Sequence, residues 1–304
     1  MRANGWARQL GSLGSRAGCE DIGVIVEPDW TVASADGNTI AVYEFGGSGE
    51  PLLLVHATGF CAPMYRAFAR ELTDTFRVVA LDVRGHGNSS AQPQIDLDWD
   101  RLAEDVLAVT DRVGDGPLHA FGHSMGGGVL ALAEHRRPGT FRSLFLYEPI
   151  AFPSDFPMTG QNFMATAARK RRDTFASREE VLYRYATRPP LNSIRAEFLV
   201  DYIDNGFVDN TDGSVSLKCL PENEARIFEE ARAMQIELVA DVVTSTVVAV
   251  GQSHESLDPA LLGPFVAKGL ANATLLHYDH IGHFGPFEDP FTIAHDIRKH
   301  ASSN

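Results

Sequence analysis

The sequence predicts an α/β fold, a mostly parallel sheet flanked by helices on both faces and interrupted by a mainly helical insertion. Three observations predict it. Apolar runs of strand length alternate with longer segments of helical length from Pro51 to Tyr147, an order that builds βαβ units with right-handed crossovers. That rhythm stops after Glu148-Pro149 and resumes at Ser245. The length of 304 residues exceeds the usual single-domain size, which leaves room for a large core carrying an inserted unit.

The elements follow in order. Trp30 to Ala35 and Thr39 to Tyr43 read as strands joined at Asp36-Gly37, a hairpin turn signal. Pro51 to His56 is a short apolar run of the kind buried on both faces of a sheet. A helix is expected over Met64 to Leu72, a strand over Arg77 to Asp82 and a helix over Asp98 to Val113. Leu118 to Gly122 is strand, Gly127 to His135 helix, and Ser143 to Tyr147 strand. Ser245 to Gly251 and Ala273 to Tyr278 supply two further strands, and Pro290 to His300 closes with a helix.

Between these blocks, residues 152–241 are charge-rich and helical in pattern, broken by Arg188-Pro189-Pro190 and by a turn signal at Asn210-Thr211-Asp212-Gly213. The expected division is therefore a loosely ordered extension over 1–28, a discontinuous core over 29–151 and 242–304, and the insertion over 152–241. Composition is that of an ordinary globular protein, 44% hydrophobic and 22% charged. A formal net charge of -14 disfavours nucleic acid and anionic membranes as partners, and no apolar run is long enough to span a bilayer. Three irregularly spaced cysteines, Cys19, Cys61 and Cys219, give no disulfide framework, so a cytoplasmic setting is the default expectation. The basic run Arg169-Lys170-Arg171-Arg172 reads as an exposed helix face; the sharper alternative is that one arginine turns inward to grip a substrate carboxylate through its planar fork.

The chemistry-bearing motif is Gly122-His123-Ser124-Met125-Gly126, a Gly-x-Ser-x-Gly between an expected strand and an expected helix. Glycines on both sides permit a sharp turn that lifts the hydroxyl above the sheet edge, and the helix behind it offers backbone N–H groups to developing negative charge. Three further stretches accompany it in order: Leu54 to Phe60, Asp82 to Ser89 (Asp-x-Arg-Gly-x-Gly-x-Ser), and Gly282 to Pro290. On these four motifs, the chain resembles the α/β-hydrolase superfamily through most of residues 30–300.

The resemblance implies a serine nucleophile, Ser124, and a histidine base, His283, with an oxyanion hole formed by the backbone N–H groups of Met125 and Thr58. Ala57 stands where the family usually has glycine. The family's usual aspartate after the post-insertion strand is missing, because that stretch is Gly251-Gln252-Ser253-His254-Glu255. A carboxylate could instead lie at the end of the strand before the insertion, as in haloalkane dehalogenases, and Glu148 sits there. Glu148 is favoured as the acid, with Glu255 and Asp258 as alternatives.

A three-histidine metal site at His277, His280 and His283 is the rival for the base. His56, His86 and His123 are read as loop-structural, and Cys61 as a structural thiol rather than a nucleophile. Phe152, Phe156, Met158, Phe163 and Met164 are candidate pocket-lining residues, though core packing accounts for them equally.

The expected activity is hydrolysis of a small to medium ester, thioester or lactone through an acyl-enzyme, with the insertion as a cap over a mainly apolar pocket, a small-molecule substrate and no metal or organic cofactor. Carbon–carbon bond hydrolysis or cofactor-free haloperoxidase or dioxygenase chemistry is an alternative, since fold does not settle reaction. A non-catalytic small-molecule receptor is another.

Overall fold

Strands whose side chains are apolar on both faces can be satisfied only between two helical layers, and the central strands here are of that kind: Leu52 to Val55 and Val78 to Leu81 are wholly buried. The computed structural model describes residues 24–89, 95–156, 162–253 and 258–304. Strands β1 (Trp30–Ala33), β2 (Thr39–Gly46), β3 (Glu50–Val55), β4 (Phe76–Leu81), β5 (Leu118–His123), β6 (Phe141–Tyr147), β10 (Ser245–Val250) and β11 (Ala273–His277) form one sheet in the order β1-β2-β4-β3-β5-β6-β10-β11. The β1–β2 and β2–β4 pairs are antiparallel and the remaining pairs parallel.

Helices α1 (Arg66–Arg70), α2 (Trp99–Val113), α3 (Met125–Arg136), α8 (Gly263–Gly269), α9 (Gly285–Glu288) and α10 (Pro290–Ala301) belong to the same alternating plan. One apolar layer joins Phe68, Phe121, Phe145 and Ile293, with α1 and α10; the other joins Trp99, Val106, Val129 and Val266, with α2, α3 and α8. Neighbours along a strand divide between the layers, as Phe121 and Ala120 do on β5, because side chains alternate across a sheet. Strands β3 and β5 are adjacent while their connections run to opposite sides, which leaves a crevice at their C-terminal ends.

Two local expectations shift. The helix expected over Met64 to Leu72 begins earlier, as a 3₁₀ turn over Ala62–Tyr65 followed by α1, since Pro63 is suited to a helical first turn. The helix after the serine starts at Met125, two residues before the expected Gly127.

Between β6 and β10 the chain forms α4 (Phe163–Arg169), α5 (Arg178–Thr187), α6 (Ala196–Gly206) and α7 (Pro221–Glu230), together with β7 (Thr174–Phe175), β8 (Phe207–Asp209) and β9 (Val215–Leu217). The three short strands make a separate antiparallel sheet, β7-β9-β8. Its Phe175 and Phe207, with Phe198 and Tyr202 of α6, continue the apolar layer of α1 and α10. Of the expected extension over 1–28, the described end is tied to this segment: Val26 N donates to Asn205 Oδ1 at 2.7 Å and Asn205 Nδ2 to Val24 O at 3.2 Å. Among the described residues no helix is long and apolar enough to cross a membrane.

Candidate active site

Ser124 occupies the turn between β5 and α3 with φ 55° and ψ -115°, left-handed backbone that non-glycine residues rarely adopt. The turn is possible because its flanking glycines are hemmed by backbone: a Cβ on Gly126 would lie 2.2 Å from Val55 O, and one on Gly122 would lie 2.6 Å from Gly126 O. The elbow is held by Ser124 N donating to Tyr147 O at 2.8 Å and Ile150 N donating to Ser124 O at 3.2 Å. Ser124 is 7% exposed.

Glu148, directly after β6, is the other strained residue. Among the described residues, only Ser124 and Glu148 (φ 46°) combine a side chain with positive φ, a conformation costing about 1–3 kcal/mol that persists where surrounding structure enforces it. Glu148 N donates to Ala249 O at 2.8 Å, and Glu148 Oε1 accepts from Gly251 N at 2.9 Å. These bonds to the end of β10 aim Oε2 at His283, whose Nδ1 lies 2.6 Å away. A carboxylate accepting at Nδ1 fixes the proton there and turns Nε2 outward as an acceptor.

No hydrogen bond joins His283 Nε2 to Ser124 Oγ in this structure; such contacts often tighten only with substrate. The histidine loop is anchored by Tyr147 O–H donating to Gly282 O at 2.6 Å and Gly282 N donating to Glu288 Oε2 at 2.7 Å.

In the loop after β3, several amides are committed. Ala57 N donates to Tyr65 Oη (3.1 Å), Gly59 N to His86 Nε2 (2.9 Å) and Phe60 N to Ala57 O (3.2 Å). Among the described residues the N–H of Thr58, like that of Met125, donates to no protein acceptor. Ala57, where a glycine is usual, is accommodated at 3% exposure.

The buried histidines brace these loops. His56 Nε2 accepts from Val83 N at 2.9 Å while its Nδ1 donates to Ala57 O at 2.8 Å. Burial pushes both His56 and His86 down to about 4, His86 also through its neighbour His56. His123, buried beside His283, is held well below the usual histidine range. Asp82 accepts from Tyr43 Oη, Ala62 N and Asn88 N, each at 2.7 Å, and Arg84 pairs with Asp105 through two 2.6 Å bonds. These contacts explain the Asp-x-Arg-Gly-x-Gly-x-Ser stretch as a loop clamp.

The remaining candidates separate. Glu255 lies outside the described residues, and Asp258 caps the turn over Pro259–Leu261 by accepting from Ala260 N at 3.2 Å. His277, His280 and His283 face three different carboxylates, Asp279 (2.8 Å), Asp289 (2.9 Å) and Glu148, so they do not converge as a ligand set. Burial raises the Cys61 thiol well above its ordinary value, which makes it a poor nucleophile.

Phe163 and Met164 correct the lining expectation: they are 69% and 57% exposed, because the buried face of α4 is carried by Ala165 and Ala168. Phe152 and Phe156 meet in a tilted ring contact at 5.4 Å, with Phe152 against the α2–α3 layer. Met158 lies outside the described residues.

Of the basic run, Arg169 pairs with Glu222 and Glu229 and Arg172 with Glu180, all on the surface. Arg171 alone turns inward. It donates to Glu224 Oε2 (2.8 Å), Tyr185 Oη (3.2 Å) and Tyr202 Oη (2.5 Å), and Tyr202 O–H donates to Gly59 O at 2.9 Å. A Cβ on Gly59 would lie 2.9 Å from Glu224 Oε1 and 3.2 Å from Arg171 Nη1, so this polar cluster sits directly on the loop of Thr58. Sequence reasoning missed Tyr65, Tyr202 and Glu224, for which no local motif exists.

A family model described as alpha/beta hydrolase fold matches residues 50–290. The chain is 34% identical over 151 residues to protein phosphatase methylesterase 1 of Bos taurus, spanning 48% of this chain and 39% of that one. It is 30% identical over 169 residues to N-formylmaleamate deformylase of Pseudomonas putida, spanning 49% and 63%. The chain thus spans less than two thirds of the length of these relatives. Among solved structures, E-2-(acetamidomethylene)succinate hydrolase superposes with a TM-score of 0.73 at 20% identity over 92% of this chain and 100% of that chain. An esterase from Thermogutta terrifontis superposes with a TM-score of 0.68 at 24% identity over 90% and 98%. These two likenesses establish the fold.

Proposed function

Because the chain belongs to the α/β-hydrolase family, we propose that it is a serine hydrolase cleaving a small to medium carboxylic ester, thioester or lactone through an acyl-enzyme. Ser124 is the nucleophile, His283 the base and Glu148 the acid that orients it. The observation that carries this reading is the coincidence of strain with chemistry: the described non-glycine residues with positive φ are Ser124 and Glu148, and Glu148 grips His283 at 2.6 Å.

In the reaction, Ser124 Oγ attacks the acyl carbon while its proton passes to His283 Nε2, and the resulting oxyanion accepts from the N–H groups of Thr58 and Met125. Collapse expels the alcohol or thiol, protonated by His283. Water, deprotonated by the same imidazole, then attacks the acyl-enzyme and releases the acid. No cofactor enters this scheme. Residues 152–241 act as a cap on the core of 29–151 and 242–304, presenting Arg171, Tyr202 and Glu224 to the oxyanion loop.

The likeness to N-formylmaleamate deformylase favours a second reading, in which the same machinery hydrolyses a formamide C–N bond. A panel of nitrophenyl esters beside N-formyl amides separates the two by the product released. Ester turnover with a nitrophenol burst, lost in Ser124→Ala, is the expected result. Silence toward every ester, with formate released from the amides, moves the assignment to the second reading. Silence toward both, with no fluorophosphonate adduct on Ser124, leaves a non-catalytic receptor.

A further inference from the structure

We propose that His123 and Tyr65 are positioning residues that couple the oxyanion loop to the base through one directional chain of hydrogen bonds; the inference rests on the serine-hydrolase reading above. The chain runs from Ala57 N–H to Tyr65 Oη (3.1 Å), from Tyr65 O–H to His123 Nδ1 (2.7 Å), and from His123 Nε2–H to the main-chain oxygen of His283 (2.8 Å). Its direction is forced. The carbonyl of His283 can only accept, so the proton of the His123 ring sits on Nε2 and Nδ1 must accept. Tyr65 therefore donates to His123, and its oxygen is free to accept from Ala57.

Both side chains are wholly buried, and His123 is covalently adjacent to the nucleophile. The slot around them is lined by aromatic rings: Phe287 packs edge-on against Tyr65 at 4.8 Å and against His123 at 5.8 Å, and Tyr147 packs against His123 at 5.6 Å. The ring of His123 lies 5.0 Å from that of His283, yet it is no rival base. Burial and the neighbouring His283 hold it neutral, and protonation at Nδ1 would turn the Tyr65 hydroxyl hydrogen away from its acceptor. Since the chain fixes the backbone of His283 on one side and the loop carrying Thr58 on the other, a shift in either is transmitted to its partner. Geometry is what such a site supplies, and a displacement of about 1 Å can cost on the order of a hundredfold in rate.

The test is the second-order rate at which a fluorophosphonate labels Ser124, followed by intact mass, with thermal melting as the check on folding and Ser124→Ala as the blank. Tyr65→Phe and His123→Phe are expected to label about tenfold more slowly than the wild type. His123→Gln is expected to recover about a third of the wild-type rate, because glutamine places an N–H where the imidazole Nε2–H was and so restores the bond to His283. Packing alone predicts no such rescue, since glutamine fills the slot less well than phenylalanine. Tyr65→Phe removes a single oxygen and keeps the test decisive if His123→Phe fails to fold. The inference is overturned if Tyr65→Phe labels within about twofold of the wild type, or if His123→Gln labels no faster than His123→Phe. A wild type that takes no label overturns the serine-hydrolase reading instead.

Discussion

On the sheet side of the site, Ser124, Glu148 and the loop of Thr58 ride on the ends of β5, β6 and β3, strands whose last residues are fully buried. On the other side, Arg171 reaches Glu224 across 53 positions of the segment between β6 and β10, and the pair touches the core through Tyr202 and Gly59. The first wall stores strain in two backbone conformations and holds it with main-chain bonds to neighbouring strands. The second is a cluster of charged and phenolic side chains that satisfy one another. Under the proposed function, such a division assigns chemistry to backbone that leaves no freedom and selectivity to side chains that can be exchanged.

The largest effect that would break this comparison is on turnover. Ser124→Ala and His283→Ala are expected to lower kcat by about four to six orders of magnitude, whereas Arg171→Met is expected to lower kcat/KM by only about tenfold, mostly through KM. Steady-state ester kinetics check both. Equal losses on the two walls would remove the distinction.

Stability should divide the same way. Asp105→Ala leaves the fully buried Arg84 short of its bidentate partner, a change that costs about 3–5 kcal/mol. Arg171→Met strands a Glu224 side chain that retains 12% exposure, and about 1–3 kcal/mol is expected. Urea unfolding midpoints report both values.

Acid sharpens the contrast further. His56 and His86 have folded-state values of about 4 against an ordinary 6.5, so below 6.5 the unfolded chain binds more protons than the folded one. Their contribution, about 3 kcal/mol each, is complete above pH 6.5 and is lost as pH falls toward 4. Asp201 of α6 has the opposite sign: burial, against the pull of Arg66, raises it to about 6, so its burial penalty is relieved as pH falls from 6 toward its ordinary value. The melting temperature should therefore fall between pH 6.5 and 4, and Asp201→Asn should steepen that fall. A steeper fall in the parent protein would show the signs to be wrong. The smallest effect belongs to the surface: Phe163→Ser and Met164→Ser are expected to shift stability by no more than about 0.5 kcal/mol.

How much of this was readable beforehand follows from the range of the interactions. The elbow, the loop of Thr58 and the histidine loop are set by local backbone geometry, in which glycine spacing and strand–turn–helix order are written within a few residues. Glu148 was legible as a position at a strand end, but its contact with His283 lies across 135 residues and follows no local pattern. The contact of Tyr65 with His123 spans 58 residues and follows no pattern. Strands β7 to β9 are two or three residues long, too short for alternation to register. The inward reading of the basic run had an arginine gripping a substrate carboxylate; Arg171 does turn inward, but onto Glu224, and a run of four basic residues does not reveal which of them its helix end will bury or against what.

The proposed role of Glu148 as the acid is decided by kcat for nitrophenyl acetate in Glu148→Gln and Glu255→Gln. A loss of about three to four orders of magnitude is expected in Glu148→Gln, where the imidazole loses the partner that fixes its tautomer, with a rate within about twofold of the parent in Glu255→Gln. A large loss in Glu255→Gln with Glu148→Gln active would contradict it.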